Sequence, residues 1–150
     1  MRFRLAKKGF TCGAFDLLHA GHILMLQEAR SYCDFLVVGL HSDPTLDRPF
    51  KNKPIQSLEE RRIQLEAVKY VDLIIIYDTE SALLDLLCEI KPDVRIIGAD
   101  YLNRRFTGDF LGIEIKFNNR DHTFSSSELR KRIQHAENAM TEKKISDEQD

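Results

Sequence analysis

The chain has 150 residues, 43% of them hydrophobic and 31% charged, and a net charge of −2. That length holds one domain with a sizeable core, and the near-neutral charge argues against bulk electrostatic binding of nucleic acid or a membrane surface. No apolar run reaches the ~20 residues of a membrane-spanning helix. The three cysteines, Cys12, Cys33 and Cys88, contain no C-x-x-C pair, which predicts free thiols in a reducing, cytoplasmic setting. Residues 1–8 are charged and lack the apolar stretch of a signal peptide.

In chain order, residues 7–12 read as a first strand. The turn Gly13-Ala14-Phe15-Asp16-Leu17-Leu18-His19-Ala20-Gly21-His22 follows and leads into an amphipathic helix over 23–30. Backbone N–H groups at a helix N-terminus are unpaired and carry partial positive charge, so this junction suits an anion. His19 and His22 stand three residues apart, which places both rings on one face of the first turn. Gly21 between them carries no side chain and allows close approach to the backbone.

Phe35–His41 is a short, continuous apolar run, as in a strand buried on both faces of a parallel sheet. A polar loop over 42–54 holds three of the four prolines. Ser57 with Glu60 forms a capping-box pattern that opens a helix to about residue 70. Leu73–Tyr77 is the third strand, and 82–90 is helical until Lys91-Pro92-Asp93 stops it. Strands at 94–98 and 113–117 follow, then a helix from Ser125 to about residue 137. Helices alternating with apolar strands predict an α/β domain with a parallel sheet and helices on both faces, connected by right-handed crossovers. The domain spans 8–138, and 139–150 reads as a charged, flexible tail.

The ten residues 13–22 resemble the G-T-F-D-x-x-H-x-G-H motif of the cytidylyltransferase-like branch of the HxGH nucleotidyltransferase superfamily, with Ala14 where that motif has threonine. Three later segments strengthen the resemblance. Lys69-Tyr70-Val71-Asp72 is similar to its R-Y-V-D-E segment, with Lys69 and Leu73 as departures. Gly98-Ala99-Asp100-Tyr101 is similar to a G-x-D-W or G-x-D-Y segment of glycerol-phosphate and heptose-phosphate nucleotidyltransferases. Residues 120–127 resemble an R-T-x-x-I-S-T-T motif. Plain structural readings stand beside these: a histidine pair, a glycine turn, and a second capping box from Ser125 to Glu128.

The resemblance implies a Rossmann-like sheet of about five strands and in-line attack by an acceptor phosphate on the α-phosphorus of a nucleoside triphosphate. His19, His22, Lys51 and Arg120 are then the catalytic candidates. Gly13, Ala14, Phe15, Asp16, Gly21, Lys69, Gly98, Asp100, Phe124, Ser125 and Ser126, with Arg120, are the nucleotide-binding candidates. Lys51, Lys53, Arg61 and Tyr101 are the acceptor-binding candidates, with Arg48 an alternative to the lysines. Mg2+ is expected with the nucleotide rather than in a cage of protein ligands. The leading expectation is cytidylyl transfer from CTP to a small polyol phosphate such as glycerol-3-phosphate. The alternatives are adenylyl transfer to a heptose phosphate, phosphopantetheine or FMN, and a catalytically silent nucleotide-binding protein. A homodimer is compatible with the resemblance, and loops 43–54 and 99–111 are expected to line the acceptor pocket.

Overall fold

The strongest apolar run, Phe35–His41 (β2), pairs in parallel with Lys8–Gly13 (β1), from Lys8 opposite Phe35 to Gly13 opposite Leu40. Around this pair the computed structural model, which describes residues 5–148, builds a five-stranded sheet. Leu73–Tyr77 (β3), Val94–Ile97 (β4) and Glu114–Phe117 (β5) complete it in the order β3-β2-β1-β4-β5, and every pairing is parallel. The helices are Ala20–Ser31 (α1), Leu58–Glu66 (α2), Glu80–Ile90 (α3) and Ser126–Asp147 (α4). Short 3-10 turns occupy Pro44–Leu46 and Ala99–Tyr101. No helix among the described residues is long and apolar enough to cross a membrane.

Alternation along β2 divides the core in two. Leu36, Val38 and Leu40 join Leu26 and Ala29 of α1 and Leu65 of α2 on one face. Val37 turns the other way and meets Phe10, Tyr77 and Leu83 and Leu87 of α3. The fold is therefore Rossmann-like α/β with both faces covered, as the alternating pattern predicts. The chain steps outward from β1 to β3, then returns to place β4 on the other side of β1. Such a reversal opens a crevice beyond the carboxyl ends of β1 and β4, where ligands bind in open parallel sheets.

Helix α1 starts at Ala20, three residues before expectation, and three further boundaries differ. Helix α2 ends at Glu66 rather than near residue 70, because Val68 is only 8% exposed and the chain turns to bury it. Its opening is as expected, with Ser57 and Glu60 forming a reciprocal capping box. Helix α3 starts at Glu80 because the Thr79 hydroxyl accepts from Ala82 N–H at 3.1 Å. Helix α4 runs to Asp147, so the segment expected as a loose tail from 139 is helical that far, and 149–150 lie outside the described residues. Its glutamates, lysines, alanines and methionine are strong helix formers, and no glycine or proline interrupts them.

Gly39 in β2 is closely covered by side chains of the neighbouring strands β1 and β3. A Cβ there would lie 2.9 Å from Phe10 Cζ, 3.0 Å from Cys12 Cβ and 3.1 Å from Tyr77 Cε1. Gly39→Ala should therefore destabilise the domain by about 1–3 kcal/mol through overpacking, read as a lower urea midpoint with an unchanged m-value.

Candidate active site

The motif loop between β1 and α1 is held in a conformation that its residues do not favour. Phe15 and Leu17 have φ of 49° and 50°, in the left-handed region that bulky side chains avoid. Asp16 between them is 7% exposed and accepts from Ile55 N at 3.0 Å, Gln56 N at 2.9 Å and Arg130 Nη2 at 2.7 Å. Burial alone would raise its carboxyl pKa, but these bonds outweigh that and hold it below the ordinary value. Leu17 N–H donates to Gln56 Oε1 at 2.7 Å, tying the same loops together.

Arg61 of α2 supplies the second clamp. It is 2% exposed, and its Nη1 donates to Ala14 O at 2.9 Å and His41 O at 2.7 Å. Nη2 donates to Ser42 O at 2.5 Å and Nε to Gln56 O at 3.3 Å. One guanidinium thus joins the ends of β1 and β2 to the entry of α2. The structure turns Arg61 away from the expected acceptor role: four of its five N–H donors go to backbone carbonyls. The next residue, Arg62, pairs with Glu59 and Glu66 along α2.

His19 and His22 cap α1 reciprocally. His19 Nδ1 accepts from Gly21 N–H at 3.0 Å, and His22 Nδ1 accepts from His19 N–H at 3.2 Å. An Nδ1 that accepts a backbone proton carries none of its own, so in each neutral ring the proton sits on Nε2. Both imidazoles are hydrogen-bond donors without being cations. His19 Nε2 lies 3.1 Å from Ser126 Oγ in the first turn of α4, so two helix N-termini meet here. The rings stack with centroids 3.9 Å apart. Burial first, then its neighbour His19, pushes the His22 pKa down to about 4, against a smaller opposing pull from Asp16. Burial also lowers His19, helped by His122 and Arg120. Gly21 serves packing as well as access, since a Cβ there would lie 2.9 Å from the His19 ring and 3.1 Å from that of His122.

A cleft of about 1120 Å³ opens over this junction. It brings together Gly13, Ala14, Phe15, Asp16, His19, Gly21, His22, Lys51, Gly98, Tyr101, Arg120, Phe124, Ser125 and Ser126, all expected site residues. Asp100, also expected, sits at the rim, where both its oxygens receive Arg120 Nη1, at 3.2 and 3.0 Å. Ser125 caps α4 by accepting from Glu128 N–H at 3.1 Å, half of the expected box. Tyr101 Oη accepts from Arg48 at 3.2 Å. Lys53 is exposed and does not line the cleft, although its neighbour Lys51 does. Lys69 is the clearest correction: it precedes β3, at the sheet's amino edge, with its ammonium 5.2 Å from the Tyr70 ring. Asp72 braces that edge, accepting from Leu36 N–H at 2.7 Å and pairing with Arg30.

Among the lining residues outside the expected set are Arg130, His122, Arg95 and Glu80. Arg130 follows Ser126 by four residues on a helix, so spacing could have found it. His122 sits inside the serine motif and stacks on Phe124 at 5.3 Å. Arg95 and Glu80 carry no sequence signal beyond a charge beside an apolar run.

Two stability predictions follow from the clamps and caps. Asp16→Asn should cost about 2–4 kcal/mol, because it presents an amide to donors and leaves Arg130 without its partner; urea unfolding at pH 7 measures it. Unfolded His22 binds a proton at a pKa of about 6.5, whereas the folded residue resists protonation until about pH 4. Stability is thus full above about pH 6.5 and falls as pH drops toward 4, by up to about 3 kcal/mol. His22→Asn, which keeps an acceptor for His19 N–H, should flatten that slope in denaturation curves taken from pH 7 to 4.

The profile of the cytidylyltransferase-like family matches residues 10–133. The Bifunctional protein HldE of Campylobacter concisus is 39% identical over 140 residues, covering 89% of this chain and 29% of its own length. That of Acidiphilium cryptum is 45% identical over 101 residues, covering 67% of this chain and 21% of its own. The chain therefore spans less than a third of these curated relatives. Among solved structures, the lipopolysaccharide core biosynthesis protein of Thermoplasma volcanium aligns with a TM-score of 0.63 at 28% identity, over 77% of this chain and 99% of that one. A pantothenate synthetase of Thermus thermophilus shares the fold, with a TM-score of 0.55 at 19% identity. With its histidine motif at the head of α1 and its serine motif at the head of α4, the chain belongs to the cytidylyltransferase-like family of nucleotidyltransferases.

Proposed function

We propose that this domain transfers an adenylyl group from ATP to a heptose phosphate and releases pyrophosphate. The observation that carries the nucleotidyl-transfer chemistry is the meeting of two helix N-termini with two neutral imidazole donors. An acceptor phosphate oxygen attacks the α-phosphorus while the bond to the β-phosphate bridging oxygen breaks, and pyrophosphate leaves with the electron pair. No covalent enzyme intermediate is needed, so rate depends on positioning and on stabilising the charge that builds on the phosphate oxygens. His19 and His22 offer Nε2–H donors to those oxygens, and the α4 N-terminus with Ser126 offers more. Lys51, Arg120 and Arg130 supply positive charge, Lys51 from a loop at the cleft mouth.

Magnesium belongs to this reading as a companion of the triphosphate. Asp16 is committed to three donors and Asp100 to Arg120. Among the described residues no group of three or more His, Cys, Asp and Glu side chains is placed to hold a metal. These residues fit an ion carried on phosphate oxygens, where it would neutralise triphosphate charge. The choice of ATP and a heptose phosphate, rather than CTP and glycerol-3-phosphate, is supported by the HldE relatives and the lipopolysaccharide core protein.

Pyrophosphate release should be measured with magnesium, ATP or CTP, and heptose 1-phosphate or glycerol-3-phosphate. Turnover is expected with ATP and heptose 1-phosphate. Turnover confined to CTP and glycerol-3-phosphate would replace this proposal with the cytidylyltransferase reading. His19→Ala should lower kcat by about 10²–10³-fold, the loss typical of a transition-state donor, while circular dichroism shows a retained fold. Full turnover in that variant would remove His19 from the chemistry.

A further inference from the structure

Arg95 is the least expected residue in the cleft. It comes from β4, between β1 and β5, is 4% exposed, and reaches the cavity from the face covered by α3. Its Nη1 donates to Thr107 O and its guanidinium lies 5.4 Å from the Phe106 ring. Its Nε, also buried, has no hydrogen-bond partner. The nearby carboxylates answer to other arginines, Glu80 to Arg48 and Asp109 to Arg105. A buried guanidinium N–H left unpaired is costly, so a partner from outside the chain is the economical explanation.

The surroundings define that partner. Gly108, at φ +78°, lets the following loop close over Arg95: a Cβ there would lie 3.3 Å from Arg95 Nη1 and 2.9 Å from Leu87 Cδ1. Glu80 accepts from Arg48 and from the Thr107 hydroxyl, and carboxylate lone pairs remain. Tyr101 accepts from Arg48 and keeps its own proton to donate. Donors and acceptors are thus interleaved, which matches hydroxyl groups, since each both donates and accepts. Glu80 is neutralised by Arg48, so its carboxylate adds acceptor lone pairs to the chamber rather than net charge. Arg95 is in register with Phe10 of β1, three residues before Gly13, so its side chain starts roughly 10 Å below the carboxyl end of β1, while Glu80, Tyr101 and Thr107 lie beyond the strand ends.

We infer that this chamber reads the hydroxyl-bearing end of the acceptor: Arg95 Nε–H donates to a sugar oxygen and Glu80 accepts from a sugar hydroxyl. The inference rests on the sugar-phosphate reading above and adds a length requirement. With its phosphate at the histidines, only an acceptor of several carbons beyond glycerol phosphate reaches Arg95.

The test is steady-state kinetics with ATP and glycerol phosphate, ribose 1-phosphate, mannose 1-phosphate and heptose 1-phosphate, on wild type, Arg95→Lys and Glu80→Gln. Lysine keeps the charge and loses the planar fork with its Nε–H. In wild type kcat/KM should climb with acceptor length. Arg95→Lys should raise KM for heptose 1-phosphate by about tenfold, and Glu80→Gln by about three- to tenfold. KM for ATP should stay within about twofold, as expected when no nucleotide contact is touched, and preference over glycerol phosphate should shrink in both variants. Thermal melts confirm folding, and if Arg95→Lys does not fold, Glu80→Gln alone decides. Unchanged acceptor KM in the folded variants, or a rise confined to ATP, overturns the chamber while leaving the proposed function intact. Wild type inactive on every sugar phosphate overturns both.

Discussion

The site depends on a strained loop held shut from two sides. Residues in the left-handed region cost roughly 1–2 kcal/mol each when they are neither glycine nor asparagine, and Phe15 and Leu17 both adopt it. The loop would relax were it not over-determined. Asp16 takes three donors from two other segments, and Arg61 grips the Ala14 carbonyl from below. Because Arg61 also holds the carbonyls at the end of β2, the loop, the carboxyl end of β2 and α2 are tied to one guanidinium. His19 follows the loop directly, so its place beside Ser126 is inherited from these buried contacts.

That rigidity suits donors that work without charge. Two stacked imidazoliums with centroids 3.9 Å apart would repel, and protonation at Nδ1 would break the caps that orient them. Keeping the rings neutral avoids both costs and still directs Nε2–H outward. Positive charge is placed instead on longer, more exposed side chains, Lys51 and Arg120, and on Arg130 anchored by Asp16. A chain with a net charge of −2 can hold a polyanion this way because the field is local.

How much was legible follows from what each signal encodes. Apolar runs encode strands, and β2 and β3 lie where those runs lie. Only β2 is buried along nearly its whole length, since β3 is at the sheet's edge and leaves Leu73 and Ile76 exposed. The histidine and serine motifs encode helix starts, and both sit at helix N-termini. A motif does not say which edge of a sheet its residue reaches. Lys69 fails for that reason, since it comes before its strand, while Asp100 comes after one. Nor does residue type separate a ligand contact from a brace. Asp16 and Arg61 look like binding groups in sequence, yet their hydrogen bonds go to the chain itself. Arg95 was invisible because a single charge in a short apolar strand has no periodicity to betray it.

These placements divide the cleft along the sheet. The α1 and α4 side carries groups that any phosphoryl-group transfer needs: helix N-termini, neutral donors and local cations. The α3 side carries Glu80, Arg95, Tyr101 and Thr107, a mixed set of donors and acceptors suited to telling one acceptor from another. Three of these four come from strand β4 and the loop that follows it, whereas the caps and clamps come from segments before β3 and from α4. On the proposed reading, acceptor choice and chemistry are carried by largely separate stretches of chain, linked by Arg48, which holds both Glu80 and Tyr101. A change in the 99–111 loop can alter what is read at the deep end without disturbing His19, whose position is set by Asp16 and Arg61.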